Sequence, residues 1–288
     1  MVLTIDRMEI DDAGGNPAKL AASILKQLPN LSGHIPVREI AAAIDIYEIR
    51  EKPLEGLEGG LIVADDKSEG AILVRSDRPE TRKRYTIAHE LGHYVNPWHQ
   101  SDSPEGFRCR ASDMAVEYQA HQKRALKMEG QANEFAAELL MPAKELNAFV
   151  RSKSGVDISH VLTLADRFLV SREAAARRYV TLLGEPTALV FSRENQIRYV
   201  KKTEDFPRLD VWNGDLLPAD SLSRVSDTEI GEVTDWREVS GQTWLSRSHG
   251  CILYEQTLAQ QNGFRMTLLT VDQTEDDEDS WASPQLGR

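Results

Sequence analysis

Residues 85–93 read Tyr-Thr-Ile-Ala-His-Glu-Leu-Gly-His, and no other stretch restricts the fold as much. His89 and His93 are four apart, so a helix places both on one face with side-chain roots about 5–6 Å apart. Two imidazoles so placed can share one Zn²⁺ at bonds of about 2.0–2.1 Å. Glu90 then points to the flank, where it can take a proton from the attacking water. Gly92 inside that helix costs about 1 kcal/mol relative to alanine. A small residue there leaves room for a close neighbour, which suits a crowded metal centre. The alternative is an exposed helix carrying the pattern by chance, and the surrounding sequence decides between them.

The 288 residues suffice for one large or two modest domains. A 41% apolar and 28% charged composition is that of a globular protein in water. No apolar run approaches the length of a membrane span. Asp6, Glu9 and Asp11 stand where a signal peptide needs an apolar core, so a cytoplasmic location is expected. Two cysteines, Cys109 and Cys251, imply no disulfide framework. A net charge of −12 argues against a protein that coats nucleic acid non-specifically.

Along the chain, Asn16-Pro17 predicts a helix start carrying Leu20, Ile24 and Leu28, and Ile35 to Ile44 a shorter helix. Ile46 to Ile49, Leu61 to Val63 and Ala71 to Val74 predict strands, the last two joined as a hairpin through Asp65 to Gly70. An edge of this sheet could pair with an extended peptide. Residues 98–128 read as a long polar connection, helical toward its end, of the kind that forms lids and binding loops. Ala132, Phe135, Ala136, Leu139 and Leu140 then form a helical stripe that Pro142 stops.

An open zinc site needs a third protein ligand. Glu129 and Asn133 lie four apart, off the apolar stripe, so Glu129 can bind metal while Asn133 steadies a histidine ring. Glu134 and Glu138 are rivals for the ligand role. Residues 84–93 together with Glu129-x-x-Ala132-Asn133-x-Phe135-Ala136-Ala137-Glu138-Leu139-Leu140-Met141-Pro142 resemble the ImmA/IrrE family of bacterial zinc metallopeptidases. The resemblance spans residues 17–184, more weakly in the N-terminal helices. It implies a zincin-like core, Zn²⁺ held by His89, His93 and Glu129, and Glu90 as general base. It also implies cleavage of a helix-turn-helix transcriptional repressor in a DNA-damage, mobile-element or defence response. The chain departs from many members in having Asn96-Pro97, with His99 slightly later, where they carry another histidine. Its connection from His93 to Glu129 is also long for the family. Tyr85, Tyr94, His99 and His121 are undiscriminated candidates for the oxyanion donor.

Cys109 lies inside that connection, between Arg108 and Arg110. Basic neighbours favour the thiolate, the form that binds metal. A thiolate on the zinc would displace water and silence the enzyme, which resembles the cysteine switch of matrix metalloprotease propeptides. The competing reading is an incidental exposed thiol.

Asp157-Ile158-Ser159 and Ser171 predict the starts of two helices, through Phe168 and Leu183, in a helix-turn-helix rhythm that carries Arg172, Arg177 and Arg178. The acidic balance favours a structural or repressor-docking pair over a DNA-binding one. Beyond Pro186, strands are expected at 188–192, 197–201, 243–246, 251–255 and 265–271, with a turn at Asn262-Gly263. Trp212, Trp236 and Trp244 read as core anchors. The expected fold is thus α+β. A metallopeptidase domain spans 1–150, a helix-turn-helix-like unit 151–185, and a β-rich α+β sensor-like domain, GAF-like by family analogy, 186–272. An acidic disordered tail occupies 273–288. Single-stranded DNA or a nucleotide is the activator that the family suggests. The alternative function is a non-proteolytic sensor or DNA-binding regulator that retains a metal site, but such a protein has no use for Glu90.

Overall fold

In the computed structural model, which describes residues 3–29, 33–101, 106–116, 123–247 and 251–271, the helix starts follow their capping residues. The tail expected over 273–288 and His121 lie outside the described residues. α1 (Arg7–Asp11) begins at Asp6, whose side chain accepts from the Met8 N–H. α2 (Pro17–Lys26) begins at Asn16, whose Oδ1 accepts from the Lys19 N–H, and Pro17 fills the first helical position, where no donor is needed. Its stripe of Leu20, Ala21 and Ile24 is fully buried. The shorter expected helix is α3 (Val37–Ala43).

Two compact units divide the chain: Met1–Ser152 with Val161–Arg178, and Lys153–His160 with Tyr179–Arg288. The first contains a sheet of β1 (Ile46–Lys52), β2 (Gly59–Val63) and β3 (Gly70–Arg75). The β2–β3 hairpin is antiparallel as expected, and β1 runs parallel to β3 on its other side. α4 (Glu80–Val95) is the helix of the two histidines. The polar connection after it holds a short strand that its composition did not indicate, β4 (Phe107–Cys109). β4 lies antiparallel on β2, with Cys109 opposite Gly59 and Phe107 opposite Leu61, giving the order β1-β3-β2-β4. A side chain at Gly60 would meet the Phe107 carbonyl oxygen at 2.8 Å, so glycine is what lets β4 dock there.

α5 (Arg124–Leu140) buries the expected stripe against α4 and α2. Gly92 is a point of close approach: a Cβ there would lie 3.0 Å from Ala132 Cα and 3.1 Å from Phe135 Cδ1. Pro142 ends α5 and at once starts α6 (Ala143–Arg151), a helix the sequence reading did not separate. Three polar anchors hold α4 from outside the core. Lys67 Nζ, from the β2–β3 turn, donates to the carbonyls of His93 and Asn96 at 2.7 and 2.8 Å, satisfying the helix C-terminus. Arg84, 4% exposed, donates to the carbonyls of Ile35 and Leu169. Glu58, 3% exposed, accepts from Arg78 and Arg82 at the start of the helix.

α7 (Ile158–Phe168) and α8 (Arg172–Val180) follow, turned at Leu169, whose φ is +51°. Ser171 Oγ accepts from the Ala174 N–H and caps α8, which ends at Val180 rather than Leu183. Arg178 is engaged by Glu138 at 2.6 Å.

The second unit is built on β5 (Thr187–Arg193), β6 (Gln196–Lys202), β7 (Arg237–Ser240), β8 (Ile252–Ala259) and β9 (Phe264–Val271). All neighbours are antiparallel, in the order β6-β5-β9-β8-β7, and a short helix, α9 (Leu222–Val225), precedes β7. Asn262 and Gly263 turn the chain between β8 and β9 at φ +58° and +72°. Two expectations fail here. Residues 243–246 are not a strand: Gly241–Thr243 forms a 3₁₀ turn that delivers Trp244 into the core, fully buried, with its indole N–H donating to Glu255. Trp212 is no core anchor, being 63% exposed. Among the described residues no helix is long and apolar enough to cross a membrane.

Candidate metal centre

α4 and α5 bring three donor atoms to one point. His89 Nε2 and His93 Nε2 are 3.2 Å apart, and Glu129 Oε2 lies 3.2 Å from the first and 3.5 Å from the second. Bonds of about 2.0–2.1 Å at tetrahedral angles separate donors by roughly 3.3–3.4 Å, so this triangle has the size that Zn²⁺ requires. Glu129 Oε2 is buried without a well-formed hydrogen bond, although two imidazole nitrogens are close to it. Three donor atoms that converge on a common point at this spacing fit a cation. Glu134 and Glu138 do not join them. Glu138 pairs with Arg178, while burial and then the Glu138 charge push the Glu134 carboxyl up.

The electrostatics agree. Burial pushes the Glu129 carboxyl up, but His89 and His93 outweigh it and hold the group well below the usual carboxylate range. Burial lowers His93 to about 4, which keeps its imidazole neutral and able to ligate. Glu90 is fully buried, and neither carboxylate oxygen has a hydrogen-bond partner among the described residues. Burial, then the charges of Glu129 and Asp113, raise its pKa well above the ordinary value. Gly59 on β2 faces it: a Cβ there would lie 3.2 Å from Glu90 Oε1.

The histidine rings are held from behind. Asn133 Oδ1 lies 2.9 Å from His89 Nδ1 and also accepts from the Tyr85 hydroxyl at 3.1 Å. Asn133 Nδ2 donates to the carbonyls of Asp113 and Val116, both at 2.8 Å, which fixes which way its amide points. His93 has a partner the sequence reading did not give it: His99 Nδ1 lies 3.1 Å from His93 Nδ1, and His99 Nε2 lies 3.1 Å from Gln131 Oε1. The available signal was a histidine six residues after His93, just past a chain-turning Asn-Pro pair. These contacts also reduce the candidates for an oxyanion donor. Tyr85 is committed to Asn133, Tyr94 receives a bond from Arg7, and His99 lies behind His93.

Cys109 is corrected in its surroundings. It is 2% exposed on β4, not an exposed loop thiol. Burial, then the charges of Glu90, Glu129 and Asp113, push its thiol strongly up, so the flanking arginines do not favour the thiolate. Its Sγ nevertheless lies within 4.8 Å of donor atoms of both His89 and Glu90.

A family model described as the IrrE N-terminal-like domain of the M78 peptidases matches residues 47–179. No curated protein matches the chain. Among solved structures, a Mycobacterium tuberculosis transcriptional regulator is similar at 11% identity and a TM-score of 0.49, over 92% of this chain and 74% of that one.

Proposed function

From the premise that the chain carries an IrrE N-terminal-like M78 peptidase domain over residues 47–179, we propose that it is a zinc-dependent endopeptidase. Its proposed substrate is a helix-turn-helix transcriptional repressor whose cleavage derepresses a DNA-damage, mobile-element or defence operon. The observation that carries this reading is Glu90: a fully buried carboxylate, unpartnered at both oxygens among the described residues, beside three converging donors. A structural metal site gains nothing from such a group, whereas amide hydrolysis needs a base within reach of water.

In this reading His89, His93 and Glu129 hold the metal. Bound there, Zn²⁺ supplies Lewis acidity toward water and the scissile carbonyl. Glu90 takes the proton of the attacking water and delivers it to the leaving amine nitrogen. Asn133 fixes the His89 ring through Nδ1.

Cys109, laid beside His89 and Glu90 by the pairing of β4 with β2, is proposed to hold the enzyme latent. Single-stranded DNA or a nucleotide is the proposed activating signal. The same cysteine supports a second reading, because a fourth protein ligand closes a zinc site as in structural centres. The chain would then be a non-proteolytic regulator. The experiment is incubation with helix-turn-helix repressors encoded beside it, with and without single-stranded DNA or nucleotide, comparing wild type with Glu90→Gln. Cleavage by wild type alone supports the peptidase. A zinc-loaded protein that cleaves none of them under any condition supports the regulator.

A further inference from the structure

We infer that His99 is a positioning residue that fixes the tautomer and orientation of His93 through a three-member chain ending on Gln131. The inference rests on the metal-site reading above and goes beyond it, since it assigns a residue outside the donor set. His93 Nε2 faces the other two donors at 3.2 and 3.5 Å, so it must present a lone pair there. Its proton therefore sits on Nδ1, which is 3.1 Å from His99 Nδ1. Two like nitrogens at that distance bond only if one carries hydrogen, so His99 Nδ1 accepts and its own proton sits on Nε2. That nitrogen is 3.1 Å from Gln131 Oε1, an acceptor. The chain therefore closes with a single assignment: His93 Nδ1–H donates to His99, and His99 Nε2–H donates to Gln131. The opposite assignment turns a lone pair on His99 Nε2 against Gln131 Oε1 and a proton on His93 Nε2 into the donor triangle.

The surroundings leave His99 little freedom to do otherwise. It is fully buried, and its backbone N–H donates to the Asn96 carbonyl in the turn that ends α4. The His93 ring is tilted 30° on Phe107 at 4.5 Å, and Lys67 holds its carbonyl. His99 is thus the directional partner at Nδ1, as Asn133 is for His89. Partners of this kind typically change metal affinity by about 10–100-fold when removed.

The test is Zn²⁺ affinity of the full chain by competition with a chromophoric chelator, together with the visible spectrum of the Co²⁺-loaded protein. His99→Leu removes the acceptor and is expected to weaken binding by about 10–100-fold and to alter the Co²⁺ bands. His99→Asn keeps an acceptor oxygen near the Nδ1 position and is expected to restore most of the affinity, which a purely space-filling role would not do. If His99→Leu does not fold, Gln131→Leu, which frees His99 to adopt the other tautomer, is read the same way. Wild-type affinity and spectrum in His99→Leu, or in Gln131→Leu where that stands in, would overturn the inference, as would failure of His99→Asn to recover affinity. His93→Ala separates the two levels. If wild type binds no better than His93→Ala, the metal site itself is refuted and this inference with it.

Discussion

Gly92→Ala tests whether the two donor-bearing helices are held at their limit of approach. The added Cβ would lie 3.0 Å from Ala132 Cα, 3.1 Å from Phe135 Cδ1 and 3.2 Å from the Ala132 carbonyl oxygen. Carbon contacts are ordinarily about 3.5–4.0 Å, and two of these three atoms are backbone, so α5 must retreat by roughly half an ångström. Glu129 rides on α5, and its Oε2 now sits 3.2 Å from His89 and 3.5 Å from His93. Metal–ligand bonds tolerate only about ±0.2 Å, so the displacement degrades the donor triangle. Helix propensity favours alanine by about 1 kcal/mol, while overpacking costs about 1–3 kcal/mol. The net expectation is a loss of about 1 kcal/mol in chelator, a fall in Tm of roughly 2–4 °C. Zn²⁺ affinity should fall about tenfold, equivalent to about 1.4 kcal/mol. Thermal unfolding in chelator and competitive titration measure the two effects separately. A variant that is stabilised by the full propensity gain and binds metal as tightly as wild type would refute the close-approach argument.

Other expectations follow from buried charges. Burial pushes Glu58 up, but Arg78 and Arg82 outweigh it and hold the carboxyl below its ordinary value of 4.5. Its stabilisation is therefore present above that pH and lost as pH falls through the lowered value. With both arginines about a third exposed, Glu58→Gln should cost roughly 1–2 kcal/mol at pH 7 and less in acid, as urea titrations across pH would show. Glu90 has the opposite sign. Its raised pKa means stability present below 4.5 is lost as pH rises through the folded-state value. Glu90→Gln should therefore abolish cleavage yet be more stable than wild type at pH 7 in chelator, by about 1–3 kcal/mol; equal or lower stability would contradict this. In the second unit, Trp244→Phe removes a donor to the buried Glu255 carboxylate and should cost about 1–3 kcal/mol, read by denaturant unfolding.

The parts of the fold legible in the sequence are those written in local chemistry. Asn16-Pro17, the α5 stripe and Asn262-Gly263 each carry their own capping, periodic or turn signal, and the structure has an element or turn at each. Residues 107–109 carry none: Phe-Arg-Cys becomes a strand only because Gly60 lets it lie against β2, a long-range fact with no local signature. Trp212 and Trp244 show the same limit, since composition cannot tell which tryptophan has a buried acceptor; Trp244 has Glu255 and Trp212 is mostly exposed. At the site, spacing was enough to nominate His89, Glu90 and His93. Spacing from Asn133 favoured Glu129 over Glu134 and Glu138 but left all three open, because they stand on one helix and tertiary packing is what turns Glu129 to the histidines. His99 was visible as a histidine but not as a partner, because its role depends on how the chain turns at Asn96.

The connection between the two donor helices carries both the groups behind the histidine rings and a cysteine beside the site. His99 steadies His93, and the carbonyls of Asp113 and Val116 orient Asn133 behind His89. Between them, β4 lays Cys109 beside His89 and Glu90. Cys109→Ala separates obstruction from support, because the two roles predict opposite signs. As a small buried side chain Cys109 contributes only packing, and its loss should cost about 1 kcal/mol with cleavage unchanged or slower. As an inhibitory group it suppresses turnover, and its loss should raise basal cleavage of the repressor by at least about tenfold, equivalent to about 1.4 kcal/mol of barrier. The packing loss occurs either way, so a variant that is less stable yet faster without activator is the signature of latency. If Cys109 ligates the metal, its loss also weakens Zn²⁺ binding, whereas a thiol that only packs leaves affinity near wild type, because His89, His93, Glu129 and the groups behind the rings are untouched. A less stable variant with an unchanged or lower basal rate would reduce Cys109 to a core residue and leave control of the enzyme to be sought elsewhere.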